Sequence, residues 1–136
     1  MAEQNKGMKQ TFVSGEAADA IAKWRVAVLH TTEGQIVNPS GASSVEKIAG
    51  ATEAEIAHGA AGALIMSGIV YLQATAAAIS IGATVVIGDN VGRIMTKPTG
   101  ATTQGIAVVG VALSAASGSV DDVVKVFLTI RNEFAT

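Results

Sequence analysis

Asp121 and Asp122, the chain's only adjacent pair of acidic residues, are its first candidates for chemistry. Paired carboxylates can bind calcium or share a proton, but calcium takes about six to eight oxygen ligands, and only Ser119 lies nearby to add one. We therefore predict a solvated turn that leads into a strand. The segment 88–92, which contains Asp89 and Asn90, is a second candidate for a cation-binding loop. It fits better as a hairpin turn, because Asp89 and Asn90 tolerate left-handed backbone conformations.

The other reactive residue types are not arranged for catalysis. His58 follows Glu55 by three residues, so the two would form a surface ion pair on one face of a short helix, and His30 has no acidic partner nearby in sequence. No serine lies in a Gly-x-Ser-x-Gly elbow, and no glycine-rich segment ends in Gly-Lys-Ser/Thr. The chain also has no cysteine. We expect no enzymatic activity, no cofactor and no bound metal.

The composition excludes several further classes of protein. Of the 136 residues, 49% are apolar but only 4% are aromatic, and the formal net charge is −2. Lysines and arginines are scattered along the chain without a basic stripe, so we expect no nucleic acid partner. The polar residues 1–10 do not resemble a secretory signal.

Residues 59–88 contain no charged side chain and are long enough to cross a bilayer. Glycine, serine and threonine interrupt the segment throughout, however, and no lysine or arginine flanks it closely. Its short apolar runs are typical of strands. We therefore expect no membrane partner.

The pattern of apolar residues predicts an all-β protein, either a small β-barrel or a β-sandwich. Two runs rich in β-branched residues, 106–113 and 123–130, flank a small-residue linker and predict a hairpin, with Val124, Val126, Leu128 and Ile130 on its buried face. Residues 24–30 and 45–50 predict two further strands. One short helix is expected at 52–58, where Thr52 and Glu55 match a capping box.

Two features concern the organisation of the chain. We predict an N-terminal arm at residues 1–15 and a β domain at 16–136. Similar patterns also recur 58 residues apart, in the pairs Gly34 and Gly92, Ile36 and Ile94, Ile48 and Ile106, and Ile69 and Phe127. The spacing indicates either two related β-units or coincidence in a sequence rich in glycine and valine.

Contact with a partner protein is expected mainly in the arm. An extended segment with an apolar centre can add a strand to a neighbour's sheet edge. The predicted contact residues there are Lys6, Lys9, Phe12 and Val13. Trp24, the lone tryptophan, suits a core position first and an interface position second.

The C-terminal third also resembles a known family. The segment from Gly110 through Val-Ala-Leu-Ser-Ala-Ala, then Gly118, then Val124, Val126 and Leu128 in alternation, is similar to the closing strands of bacteriophage capsid decoration proteins, also called cement proteins. A looser similarity covers residues 81–88 and 91–95, whereas the first 60 residues match poorly.

The resemblance implies a structural virion protein that binds the major capsid protein on the outer surface of a phage head and stabilises the shell. It also implies self-association, often as a homotrimer, and synthesis in the host cytoplasm. The alternative is a receptor- or carbohydrate-binding β module of a virion or cell surface. Trp24 and Tyr71 offer few aromatic rings for sugar stacking, which favours the decoration protein.

Overall fold

The fold consists of ten strands in a computed structural model that describes residues 8–15, 20–42, 46–98 and 105–134. No helix occurs in these residues, so none of them forms a membrane-spanning helix. The all-β prediction is confirmed. The strands are β1 (Lys9–Ser14), β2 (Val26–Leu29), β3 (Gln35–Val37), β4 (Ile48–Thr52), β5 (Ala61–Ile65), β6 (Gly68–Gln73), β7 (Thr84–Ile87), β8 (Ile94–Thr96), β9 (Gly105–Ala112) and β10 (Val123–Phe134).

The first five strands form a closed barrel in the order β1-β3-β2-β4-β5, which we call the first barrel. β1 closes it by pairing antiparallel with β5 and parallel with β3. Residues 9–14 of the predicted arm are therefore a strand of this barrel, whereas residues 1–7 lie outside the described residues.

The last five strands form a sheet in the order β6-β10-β9-β7-β8, which we call the second sheet. Its outer strands approach each other through a single parallel bridge between Ala74 and Ile94. The predicted hairpin is confirmed as β9 and β10, and Val124, Val126 and Leu128 are buried as expected. The register shifts after Leu128, so the alternation expected to continue to Ile130 stops there.

The two halves repeat one topology, strand for strand. The bridge between Ser14 and Ile36 in the first barrel corresponds to that between Ala74 and Ile94 in the second sheet. The bulge between Ala27 and Val28 likewise corresponds to the one between Val85 and Val86. The prediction of two related β-units is confirmed, and coincidence does not explain such matching irregularities.

The predicted spacing of 58 residues holds for only part of the repeat. Val28 pairs with Ile48 in the first barrel, and Val86 pairs with Val108 in the second sheet. Ile48 therefore corresponds to Val108 and not to Ile106. Ile69 and Phe127 are not equivalent positions either, because they face each other across β6 and β10. Short insertions in the loops lengthen the spacing toward the end of each unit.

The predicted helix at 52–58 is wrong. Thr52 ends β4, and Ile56 forms an antiparallel bridge with Ile21 through two backbone hydrogen bonds of 2.8 and 2.9 Å. This bridge directs the backbone groups of Ile56 to another segment, so they do not form helical bonds. Ile21 and Ile56 are both buried, which explains why tertiary packing overrides the local helical signal.

The larger of the two main hydrophobic clusters joins the two halves. It consists mainly of residues from the second sheet and also contains four residues from the first barrel: Val26, Val28, Ala51 and Ile65. The smaller cluster, which includes Phe12, Ile36 and Leu64, fills the interior of the first barrel. One outer face of the first barrel is therefore buried against the second sheet.

Candidate partner-binding surface

The residues expected to contact a partner lie in different environments. Lys6 lies outside the described residues. Lys9 is exposed on β1, with its Nζ 2.9 Å from Glu53 Oε1. Phe12 is buried in the core of the first barrel, whereas Val13, the next residue along β1, is 38% exposed. Of these residues, Lys9 and Val13 are accessible to a partner in this conformation.

Trp24 lies in a turn before β2, with a positive φ of 60°. The expected strand 24–30 therefore begins at Val26. The half-buried Trp24 ring packs against the ring of Tyr71, with 6.4 Å between ring centroids and a tilt of 52°. Lys23 Nζ lies 4.0 Å from the Trp24 ring centroid, at the distance of a cation–π contact.

An exposed aromatic surface extends from this ring pair across β6 and β10. Tyr71 lies opposite Lys125, and Ile69 lies opposite Phe127. Tyr71 is 52% exposed and Phe127 is 46% exposed. We call the five residues Trp24, Tyr71, Ile69, Lys125 and Phe127 the aromatic surface. Because side chains alternate along a strand, the prediction that Val124, Val126 and Leu128 are buried already placed Lys125 and Phe127 on the opposite face.

A buried arginine ties the two halves together near the aromatic surface. The Arg25 guanidinium donates to Gln73 Oε1 at 2.7 Å, to the Val91 carbonyl oxygen at 3.2 Å and to Asp121 Oδ1 at 3.3 Å. Desolvation by burial lowers the pKa of Arg25, and the charge of Arg93 acts in the same direction. Asp121 and Asp89 oppose this, and the guanidinium stays protonated because its ordinary pKa is so high.

Asp121 lies in the predicted turn before β10 and is exposed, and it is also the acidic centre of this contact. Its Oδ1 also accepts a 2.6 Å hydrogen bond from Arg93 Nε. That hydrogen bond, together with the charges of Arg93 and Arg25, lowers the pKa of the Asp121 carboxyl. Asp121 has a positive φ of 69°, one of two non-glycine residues in the described chain that do, the other being Trp24.

The remaining acidic candidates stabilise turns. Asp122 Oδ2 accepts from the Ser117 amide at 2.9 Å and from its hydroxyl at 2.6 Å, and these bonds lower the pKa of Asp122. Asp89 Oδ1 accepts from the amides of Val91 and Arg93 at 3.1 and 3.0 Å, as expected of a hairpin turn. Within the described part of the chain, no group of three or more acidic or histidine side chains is placed to hold a metal ion.

The duplicated fold and the environments of these side chains place the chain in the class of all-β structural proteins. Its charged side chains join the two halves, and aromatic residues lie on its surface. The chain belongs to the phage cement protein family, whose sequence profile matches residues 11–128. That match spans almost all of both β-units. The protein is thus a structural, capsid-associated virion component.

The fold is also similar to a solved structure, the N base of the head fiber gp8.5 in bacteriophage phi29. The two chains share 13% sequence identity with a TM-score of 0.60, over 90% of this chain and 93% of the other. At this identity the similarity concerns the fold. No curated protein matches the chain.

Proposed function

We propose that the protein binds the major capsid protein on the outer surface of a phage head and stabilises the shell against internal pressure. The proposal includes assembly as a homotrimer and synthesis in the host cytoplasm. The observation that carries it is the family match across both β-units, in a chain whose main charged cluster serves to join those units. Two units that share a hydrophobic core suit a protein that stabilises a shell.

The paired rings of Trp24 and Tyr71 in the aromatic surface are the proposed contact with the shell. Tryptophan and tyrosine are enriched among the residues that dominate binding energy at interfaces, and here the two rings pack together. Lys23 and Lys125 lie beside them, which favours a partner surface with both apolar and acidic groups. Lys9, with Lys6, remains a proposed secondary contact with the shell, and Val13 remains a proposed contact with a partner chain.

Many weak contacts are enough for this function. Each copy needs only modest affinity, because a multimer that engages several capsid subunits at once gains avidity. A cement protein therefore needs stable units and a repeated contact surface, and it needs no chemistry. The sparse charge and the absence of cysteine in the sequence fit that requirement.

Co-sedimentation with undecorated heads of the phage that encodes the protein tests the proposal. We expect saturable binding of the wild type and a higher internal pressure or temperature for rupture of decorated heads. Tyr71→Thr should weaken binding at least tenfold, because it removes the ring beneath Trp24. Leu29→Thr is the matched control, since Leu29 is 47% exposed on the first barrel outside the aromatic surface. Failure of the wild type to bind heads would refute the proposed function.

A further inference from the structure

The two halves bury corresponding surfaces to very different extents. In the first barrel, Val26, Ala51 and Ile65 are cross-strand neighbours in a row across β2, β4 and β5. These three side chains are at most 2% exposed, and they belong to the core cluster shared with the second sheet. The second sheet thus covers this outer row of the first barrel.

The repeat places an equivalent row on the second sheet. There Thr84, Val111 and Phe127 are cross-strand neighbours across β7, β9 and β10, in the same register as Val26, Ala51 and Ile65. Phe127 is 46% exposed, and Thr84 and Val111 are half-buried. The row that is covered in one half is therefore open in the other, although it carries a large aromatic side chain.

We propose that a second copy of this chain covers the row of Thr84, Val111 and Phe127, in a head-to-tail contact that repeats the contact between the two halves. The occupant follows from the chain itself, because a unit of the same fold already covers the equivalent row. The inference rests on the proposed function in one respect, since this contact would be the interface of the proposed homotrimer.

The same correspondence identifies the opposing surface. Where the halves meet, the Gln73 amide donates to the Trp24 carbonyl oxygen, and the Val26 amide donates to the Gly92 carbonyl oxygen, both at 2.9 Å. The first-barrel equivalents of Gln73 and Gly92 are Val13 and Gly34, both exposed. The second copy therefore presents the surface around Val13 and Gly34.

The contact between copies differs from the internal one in one respect. In the first barrel the Val13 amide already donates to the Gly34 carbonyl oxygen at 3.0 Å, which closes the seam between β1 and β3. The seam between β6 and β8 is instead bridged by Trp24 and Val26 of the first barrel. The contact between copies is therefore made by apolar side chains, with Val13 facing Gly82 and Ala83, the equivalents of the residues that Gln73 contacts within the chain.

A head-to-tail contact determines which oligomers the chain can form. Each copy carries one of each surface, so the contact generates a closed ring when the rotation between copies divides a full turn. A self-complementary contact between two copies of the Phe127 row would instead stop at a dimer.

Light scattering on size-fractionated protein tests the interface with variants on its two sides. Phe127→Lys and Val13→Lys should each convert the oligomer to a monomer, because each introduces an unpaired charge into an apolar contact. Thr84→Lys provides a second variant on the Phe127 row, in case Phe127→Lys does not fold by circular dichroism. Leu29→Lys, at an exposed apolar position outside both surfaces, should leave the mass unchanged.

Mixing the two monomeric variants distinguishes the geometry. Phe127→Lys keeps an intact Val13 surface, and Val13→Lys keeps an intact Phe127 row. These two surfaces can form one contact, so equal amounts of the two variants should form a heterodimer and nothing larger. An unchanged oligomer in Phe127→Lys and Thr84→Lys, or in Val13→Lys, would overturn the inference. A monomeric wild type would also overturn it, and head binding that depends on Phe127 would then show that the shell covers the row. Binding of the wild type to heads tests the proposed function separately, whatever its mass.

Discussion

Trp24 and Gly82 hold the same position in the two β-units, each in the turn before the equivalent strands β2 and β7. Both have positive φ angles, 60° for Trp24 and 87° for Gly82. Their amides donate to the equivalent carbonyl oxygens of Thr52 and Ala112 at 3.0 and 2.7 Å. The left-handed conformation is strained for tryptophan and costs glycine little. Trp24 therefore occupies this turn in a strained backbone conformation, and its ring contact with Tyr71 offsets the strain.

Glycines at equivalent turns predict a difference between the halves. Gly34 and Gly92 have φ angles of 78° and 85°, but only Gly92 lies against the other half of the molecule. Gly34→Ala should lower the free energy of unfolding by about 1 kcal/mol, the cost of the left-handed conformation. Gly92→Ala should cost roughly 3 kcal/mol, because its added Cβ would also overlap the backbone of Val26.

Urea unfolding of the two glycine variants, each compared with the wild type, measures both costs. Gly34→Ala is the control for Gly92→Ala, since the backbone conformation is the same and open space surrounds the added methyl group. Equal losses of stability in the two variants would show that the packing of Gly92 against Val26 contributes nothing.

The Asp121 contact predicts a loss of stability in acid. Hydrogen bonding from Arg93 and the charges of both arginines lower the pKa of Asp121 in the folded protein. The unfolded chain therefore binds this proton more readily, and stability falls as the pH drops below about 4 and through the folded pKa. Asp121 is 44% exposed, so we expect a contribution of at most about 1 kcal/mol at neutral pH.

Thermal unfolding between pH 2.5 and pH 7 checks this contribution. Asp121→Asn should lower the Tm at pH 7 and converge with the wild type in acid, where the wild-type carboxyl is also protonated. Part of the acid sensitivity should remain, because Ser117 lowers the pKa of Asp122 independently. A constant difference in Tm across the whole range would contradict the assignment.

The shared core predicts that both halves unfold together. Ile36 lies in the core of the first barrel and Ile94 in the larger cluster, at equivalent positions and both fully buried. Ile36→Ala and Ile94→Ala should each cost about 3 kcal/mol through the cavity they leave. Each should shift one common calorimetric transition, because the larger cluster includes residues of both halves. Two resolved transitions in either variant would show that the halves unfold separately.

The sequence predicted the fold where local patterns and tertiary packing agree. The β9–β10 hairpin follows from its β-branched runs, and the Asp89 turn follows from residue types that tolerate tight turns. The helix expected at residues 52–58 failed because the signal was purely local. The bridge between Ile21 and Ile56 joins residues distant in sequence, and no nearby residue indicates it.

The candidate surface was less predictable for a related reason. Alternation along a strand separates two faces, but it does not show whether the face opposite the core is covered. Phe127 and its equivalent Ile65 illustrate this, since one is 46% and the other 2% exposed. Burial of Ile65 depends on the docking of the two halves. Lys9 and Val13 were predictable as surface residues of an extended segment, whereas Phe12 follows the alternation of β1 into the core.

The contact between Trp24 and Tyr71 predicts a fluorescence change in the free protein. Trp24 is the only tryptophan in the sequence, so its emission reports on the aromatic surface alone. Tyr71→Thr should expose the Trp24 ring, because threonine, the residue at the equivalent position 11, cannot cover it. We expect an emission shift to longer wavelength and an increase in acrylamide quenching, because the half-buried indole loses a neighbouring ring that covers it. Leu29→Thr should leave both signals unchanged, and unchanged quenching in Tyr71→Thr would show that Tyr71 does not shield Trp24 in solution.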